Sequence, residues 1–282
     1  MQTLNLLLEK YSLQHKQEEL VKVAASSIGM KKEFVKEQEI LIGSSKFGGL
    51  PDLPSHFSFP KLQERYLSFL GQVNLEEVTF YDKNNELPKT GILYFFYDVI
   101  EQPWGMEKEE KDGFKVLYFE GNSNGLKRTS YPEKTEDYSP LPVFKIEFKD
   151  IWTFPEDPKG IELDDNERER YFEFRDSNMQ MVAGSENDEI SSDSMHYMLG
   201  EPFNVQNDVF EEIIYYANEE KLDWDSKEIM DKSDEMVLLF QMDSDDDLEV
   251  MWGDCGMLYF CINKKDLAEK RFDRTKFTLQ CS

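Results

Sequence analysis

The stretch LLFQMDSDDDLEVMWGDCGMLYFCI, Leu238 to Ile262, reads as a strand, an acidic turn and a second strand that together close a compact unit. A shorter version of the pattern lies upstream. Gly49-Leu50-Pro51 answers to Gly200-Glu201-Pro202, and Gln72-Val73-Asn74 to Gln241-Met242-Asp243. GILYFF (Gly91 to Phe96) answers to GMLYFC (Gly256 to Cys261), in the same order. Three anchors in series point to an internal repeat. The expected fold is therefore α+β: a single domain with a mainly antiparallel sheet, built from two duplicated halves with peripheral helices. The halves are placed at 44–100 and 196–282, joined by an acidic insertion over 101–195 and preceded by a helical arm and strand over 1–43.

The 282 residues carry 58 acidic against 32 basic side chains, a formal net charge of -26. Such a field repels nucleic acid and anionic membranes and attracts cations or basic protein surfaces. With 21 Phe, 13 Tyr and 4 Trp, the chain has the material for a packed core rather than a disordered one. No apolar run approaches the roughly 20 residues of a membrane span, and the N-terminal stretch lacks the basic start of an export signal. Cys255, Cys261 and Cys281 are odd in number and form neither a disulfide framework nor a zinc pattern, so a reducing cytoplasm fits best.

Along the chain, helix-forming periodicity runs to about Ala25, and EFVKEQEILIG then takes on a strand-like pattern. YLSFLGQVNL, GILYFFYDV, FKVLYFEG and VFKIEF read as further strands. Between Glu156 and Met195, 13 acidic residues face 4 basic ones, with a helix over DDNERERYFEFRD and an exposed loop over GSENDEISSDS. DVFEEIIYYANEEK is a helix that Asp208 caps, with a buried stripe from Val209 to Ala217.

The repeat brings Gln72, Asn74, Gln241 and Asp243 forward as polar residues of one cleft, with His196 and Asp254 beside them. The competing reading is that the two glutamines satisfy backbone groups at a sheet edge. Asp243, Asp245 and Asp247 alternate, and Asp254 follows at the twelfth position, an echo of a calcium loop. Leu248 stands where such loops need Gly, and Asp254 where they carry a bidentate Glu. A solvated acidic turn is thus the favoured reading, with a Ca²⁺ or Mg²⁺ site on Asp243, Asp245, Asp247 and Asp254 as the alternative. No nucleophile–histidine arrangement has a flanking signature.

SSKFGGLPDLP, LSFLGQVNL, HYMLGEPFNVQ, LLFQMDSD and MWGDCGMLYFCI resemble the YwqG-like family, a mainly bacterial family of unknown function. The resemblance runs from about Ser44 to the C-terminus and includes His196 and the Gly253-Asp254 dipeptide; no motif covers Gln102 to Asp193. It implies one α+β domain with duplicated halves and, for some members, an immunity-like role beside secreted toxins. The leading expectation is a non-enzymatic acidic module that engages a basic protein. The alternative is a metal- or ligand-dependent enzyme or sensor with its site around Asp243 to Asp254.

Overall fold

A computed structural model describes residues 2–107, 110, 112–132, 139–183, 194–217 and 222–282. Helices α1 (Gln2–Lys10) and α2 (Gln17–Val23) lead into β1 (Ala25–Phe34), and β2 (Lys46–Phe47) follows. Next come β3 (Asp52–Pro54), β4 (Lys61–Leu62), β5 (Arg65–Tyr66), β6 (Ser68–Asn74), α3 (Leu75–Val78) and β7 (Ile92–Tyr97). The middle of the chain supplies β8 (Phe114–Phe119), β9 (Leu126–Arg128), β10 (Phe144–Thr153) and α4 (Asp165–Ala183). The remainder is β11 (Tyr197–Met198), α5 (Val209–Ala217), α6 (Lys227–Ser233), β12 (Met236–Asp243), β13 (Met257–Asn263), α7 (Lys264–Ala268) and β14 (Lys276–Gln280).

Ten strands form one antiparallel sheet in the order β14-β13-β12-β11-β1-β10-β2-β6-β7-β8. The order is symmetric about its middle. The long pair β1–β10, in register from Ala25↔Thr153 to Phe34↔Phe144, carries four strands on each side. The sheet curls until its ends meet, nearly closing a barrel. Phe114 of β8 stacks on Phe277 of β14 at 5.0 Å, and Leu279 N–H donates to the Trp104 carbonyl at 3.0 Å. Inside, Phe95 of β7 lies 4.8 Å from Phe240 of β12 and 5.3 Å from Phe260 of β13. The apolar faces of both sides therefore share one core, and burying such rings is the main drive for curling the sheet.

The strands GILYFF and GMLYFC lie where the apolar runs put them, as β7 and β13, buried on both faces. Two other regions differ from the sequence reading. The first strand is Ala25–Phe34 rather than EFVKEQEILIG, whose Leu41 is 77% exposed and whose Glu37–Glu39 forms a 3-10 turn. Its small polar residues hide it, because Ser27 is buried through a 2.8 Å hydrogen bond to Thr153, leaving only Ile28 and Met30 to feed the core. Within the stretch 101–195, FKVLYFEG, VFKIEF and DDNERERYFEFRD form β8, the central strand β10 and helix α4 as expected. The polar C-terminal stretch KKDLAEKRFDRTKFTLQCS, which carries no clear strand signal, contains β14, an edge strand with Phe277 and Leu279 buried. Tyr171 and Phe174 of α4 pack against Leu4, Leu7 and Leu8 of α1, fastening the N-terminal arm to the sheet. Asp208 accepts from Glu211 N–H at 2.9 Å at the start of α5, as its capping pattern required. The loop GSENDEISSDS, apart from Ser194, lies outside the described residues. Among the described residues no helix is long and apolar enough to cross a membrane.

Candidate functional site

Two short strands, β2 and β11, each run for two residues and then leave the sheet through a pair of left-handed residues. These are Gly48 and Gly49 (φ 59° and 64°) in the first case, Leu199 and Gly200 (φ 62° and 77°) in the second. A Cβ at Gly48 would meet the Pro142 carbonyl oxygen at 2.0 Å, and one at Gly200 the Ser27 hydroxyl oxygen at 1.7 Å, so both turns demand glycine. Directly opposite lie Gln72, across from Lys46, and Gln241, across from Tyr197.

Each glutamine ties its turn to the sheet in the same way. Gln72 Oε1 accepts from Asp52 N–H at 2.9 Å, while its amide donates to the Ser44 carbonyl at 2.8 Å and to Asp52 Oδ2 at 2.9 Å. Gln241 Oε1 accepts from Phe203 N–H at 3.1 Å, and its amide donates to the Met195 carbonyl at 3.3 Å. The neighbouring tyrosines complete the likeness: Tyr94 donates to the Asp52 carbonyl at 2.7 Å, Tyr259 to the Phe203 carbonyl at 2.6 Å. Gln72 and Gln241 thus act each within its own half, and the space between the halves is filled by Phe47, Phe95, Phe240 and Phe260.

Asn74 donates to the Gly43 carbonyl at 3.1 Å and caps α3 through Glu76 N–H at 3.1 Å. Asp243 accepts from Met195 N–H at 2.9 Å; burial pushes its carboxyl up, an effect the Met195 hydrogen bond partly offsets. His196 is buried, and its Nδ1 accepts from Asp243 N–H at 3.1 Å, which leaves the ring proton on Nε2, 2.8 Å from Asp245 Oδ2. Asp245 is also buried and takes the Lys32 ammonium directly, together with N–H groups of Asp247 and Leu248 at 2.9 and 3.2 Å. Burial alone would raise the Asp245 carboxyl, but His196 and Lys32 outweigh it and hold it well below the usual carboxylate range.

Lys32 reaches Asp247 as well, at 3.0 Å. An ammonium therefore sits where the calcium-loop reading put a cation, and Asp245 is anchored rather than solvated. Asp254 is exposed, and its carbonyl accepts from Ser282 N–H at 3.1 Å. Among the described residues, no set of three or more His, Cys, Asp or Glu side chains is arranged to hold a metal.

A buried charge cluster in the first half escaped the sequence reading. The Lys46 side chain is fully buried and donates to the Leu50 carbonyl at 2.5 Å, with Glu37 at 3.6 Å and Asp52 at 3.8 Å. Arg128 of β9 donates to Asp52 at 3.0 Å and to the Glu37 carbonyl at 2.6 Å. Desolvation pulls the Lys46 amine down to about 8 despite the attraction of Asp52, and the Arg128 charge pulls the same way as desolvation. Lys46 and Asp52 stand inside SSKFGGLPDLP, yet nothing in residue type marks a lysine that will be buried.

A groove of about 730 Å³ lies beside the second turn. Glu201, Asp208 and Glu211 line it from the turn and the start of α5, Glu156 and Asp157 from the segment after β10, and Glu86 and Asp234 from its far rim. Only Lys159, Arg168 and Lys264 oppose these seven carboxylates. Burial, and after it the nearby Asp208 charge, raises the carboxyls of both Glu201 and Glu211. Phe172 and Phe210 add apolar surface.

The fold and these centres define a single α+β domain wrapped around one nearly closed antiparallel sheet. Residues 45–281 match the model of the family described as Domain of unknown function (DUF1963), and the chain belongs to that family. No curated protein matches the chain.

Proposed function

We propose that this protein is a non-enzymatic binding module whose acidic groove engages a basic protein. The observation that carries the reading is the groove beside Gly200, concave, about 730 Å³ in volume, and lined by seven carboxylates against three basic groups. The net charge of -26 extends the same field over the molecule. Together they favour fast, steered association with a cationic surface. The titratable clusters elsewhere are internally paired, which leaves them holding structure rather than poised for chemistry.

Two narrower readings go with this one. The matched glutamine–tyrosine–turn geometry supports an origin of the two halves by duplication, in keeping with the YwqG-like resemblance. That resemblance supports an immunity-like role, in which the basic partner is a toxin. Free thiols at Cys255, Cys261 and Cys281 suit a cytoplasmic setting.

The test is to purify the tagged protein from its own host at low and high salt and to identify retained proteins by mass spectrometry. A basic partner whose association slows as salt rises, and which is lost from the Asp208→Lys, Glu211→Lys double variant, is the expected result. Association that ignores both salt and the charge reversal would remove the groove from the account.

A further inference from the structure

Beyond Met198, the sheet has an opening where a strand is missing. β11 pairs with β1 at Ile28 and Gly29 and with β12 at Gln241, so β1 and β12 stand two strand steps apart, on the order of 10 Å. Leu199 and Gly200 then carry the chain out of the sheet, over Ser27 and Thr153, where Glu201 N–H donates to Thr153 Oγ1 at 2.8 Å. β1 nonetheless continues back to Ala25, and β12 back to Met236.

The backbone groups along this opening point into it. Met30 N–H donates to the His196 carbonyl, so Met30 faces β11, and the antiparallel alternation turns Ile28 and Ser26 the same way. Leu199 N–H donates to the Leu238 carbonyl, so Leu238, and by the same alternation Met236, also face the opening. Among the described residues, no backbone group pairs with Ser26 or Met236 on that side. The acidic groove runs along these two edges. It is lined by the consecutive residues Ala25 and Ser26 and by Met236 and Val237, whose side chains enter different core clusters on opposite faces of the sheet.

Resting on the binding function proposed above, we infer that the opening between Ala25–Ser27 and Met236–Val237 receives an extended, basic segment of the partner protein as an added strand. Hydrogen bonds from Ser26 and Met236 would hold its backbone, as in other strand additions to a sheet edge. The surrounding carboxylates, Asp208 and Glu211 among them, select lysine and arginine over acidic side chains, and an open edge of this kind takes up a strand readily.

The experiment uses the full chain and a short fluorescent peptide of alternating lysine and threonine. A second peptide is N-methylated at every threonine, which keeps the charge and removes half of the backbone donors. Fluorescence anisotropy gives affinity at low and high salt, and hydrogen exchange reports on the amides of Ser26 and Met236. The plain peptide is expected to bind at low salt, to slow exchange at both amides, and to bind at least about tenfold more tightly than the N-methylated one. Equal binding of the two peptides overturns strand insertion and leaves the acidic-groove reading standing. No binding of either at low salt takes away both. Amides already protected in the free protein mean that the opening is filled by the chain itself, or by a second copy if sedimentation shows a dimer, and this too overturns the proposal.

Discussion

Where the first half of the sheet carries Lys46, the second carries Tyr197, and where the first carries Asp52, the second carries Phe203. The glutamines that hold these residues, and the tyrosines beside them, make equivalent hydrogen bonds in both halves. One backbone solution has thus been filled twice, once with ions and once with rings. The comparison separates two things a buried residue can do. Rings stabilise by leaving water, whereas a buried ion cluster gains little net stability but severely penalises any arrangement that strands one of its charges. The charged partners of the second half sit elsewhere, on His196, Asp245 and Lys32, at the level of Ser45 in the first.

The sharpest way to break this comparison is to remove the acid from one half and the ring from the other. Asp52→Ala leaves the buried Lys46 and the half-buried Arg128 with only the Glu37 carboxylate and is expected to cost about 3–5 kcal/mol in urea unfolding. Phe203→Ala, at a half-buried ring, should cost about 1–2 kcal/mol, less than a full core truncation. Similar losses for the two would mean that the ion cluster is no more exacting than ordinary packing. Next in size come Gln72→Ala and Gln241→Ala. Each strands a backbone N–H and a carbonyl, for about 2–3 kcal/mol, and the two losses should agree within about 1 kcal/mol. A glutamine whose loss is silent would show that its turn is held by something else.

The effects of pH fall at opposite ends of the scale. Asp245 in the folded protein lies below its unfolded value of roughly 3.9. Its contribution is therefore fully present above that value and fades as pH drops through the folded one, so wild type and Asp245→Asn should converge in stability in acid. Lys46 is shifted down as well, from 10.5 to about 8. The unfolded chain holds the extra proton between those values, so stability should climb with pH across that window, and the climb should vanish in Lys46→Met. Unfolding midpoints measured from acid to alkaline pH test both arms together. A flat alkaline arm in the wild type would contradict the burial of a charged Lys46.

The sequence announced what apolar runs and matched motifs can announce. β7 and β13 are aromatic on both faces, and the Gln72 and Gln241 anchors stand in corresponding places in the two motifs. It hid β1, where Ser27 and Gly29 occupy buried positions, and β14, where only Phe277 and Leu279 are apolar while the polar Thr278 and Gln280 are buried as well. The site was less legible for a different reason. Lys32 and Asp245 lie 213 residues apart, and Arg128 and Asp52 lie 76 apart, so no local pattern can pair them. Reading the alternating aspartates as a solvated turn missed that one of them faces inward. The groove is likewise assembled from segments distant in sequence, and bulk acidity alone did not say where the charge would gather.

The place of β1 in the chain has a consequence for the order of folding. One edge of this strand is closed by β10, whose last residue is Thr153, but its other edge waits for β11 at Tyr197 and for β12 behind it. A chain emerging from the ribosome can therefore build the first half and the β1–β10 pair while the far side of β1 is still bare. For as long as the next hundred residues or so take to appear, at ~5–20 residues per second, that edge is the point at which a neighbouring nascent chain could pair wrongly. The charged Lys31, Lys32 and Glu33 near its end sit where they would discourage such a partner.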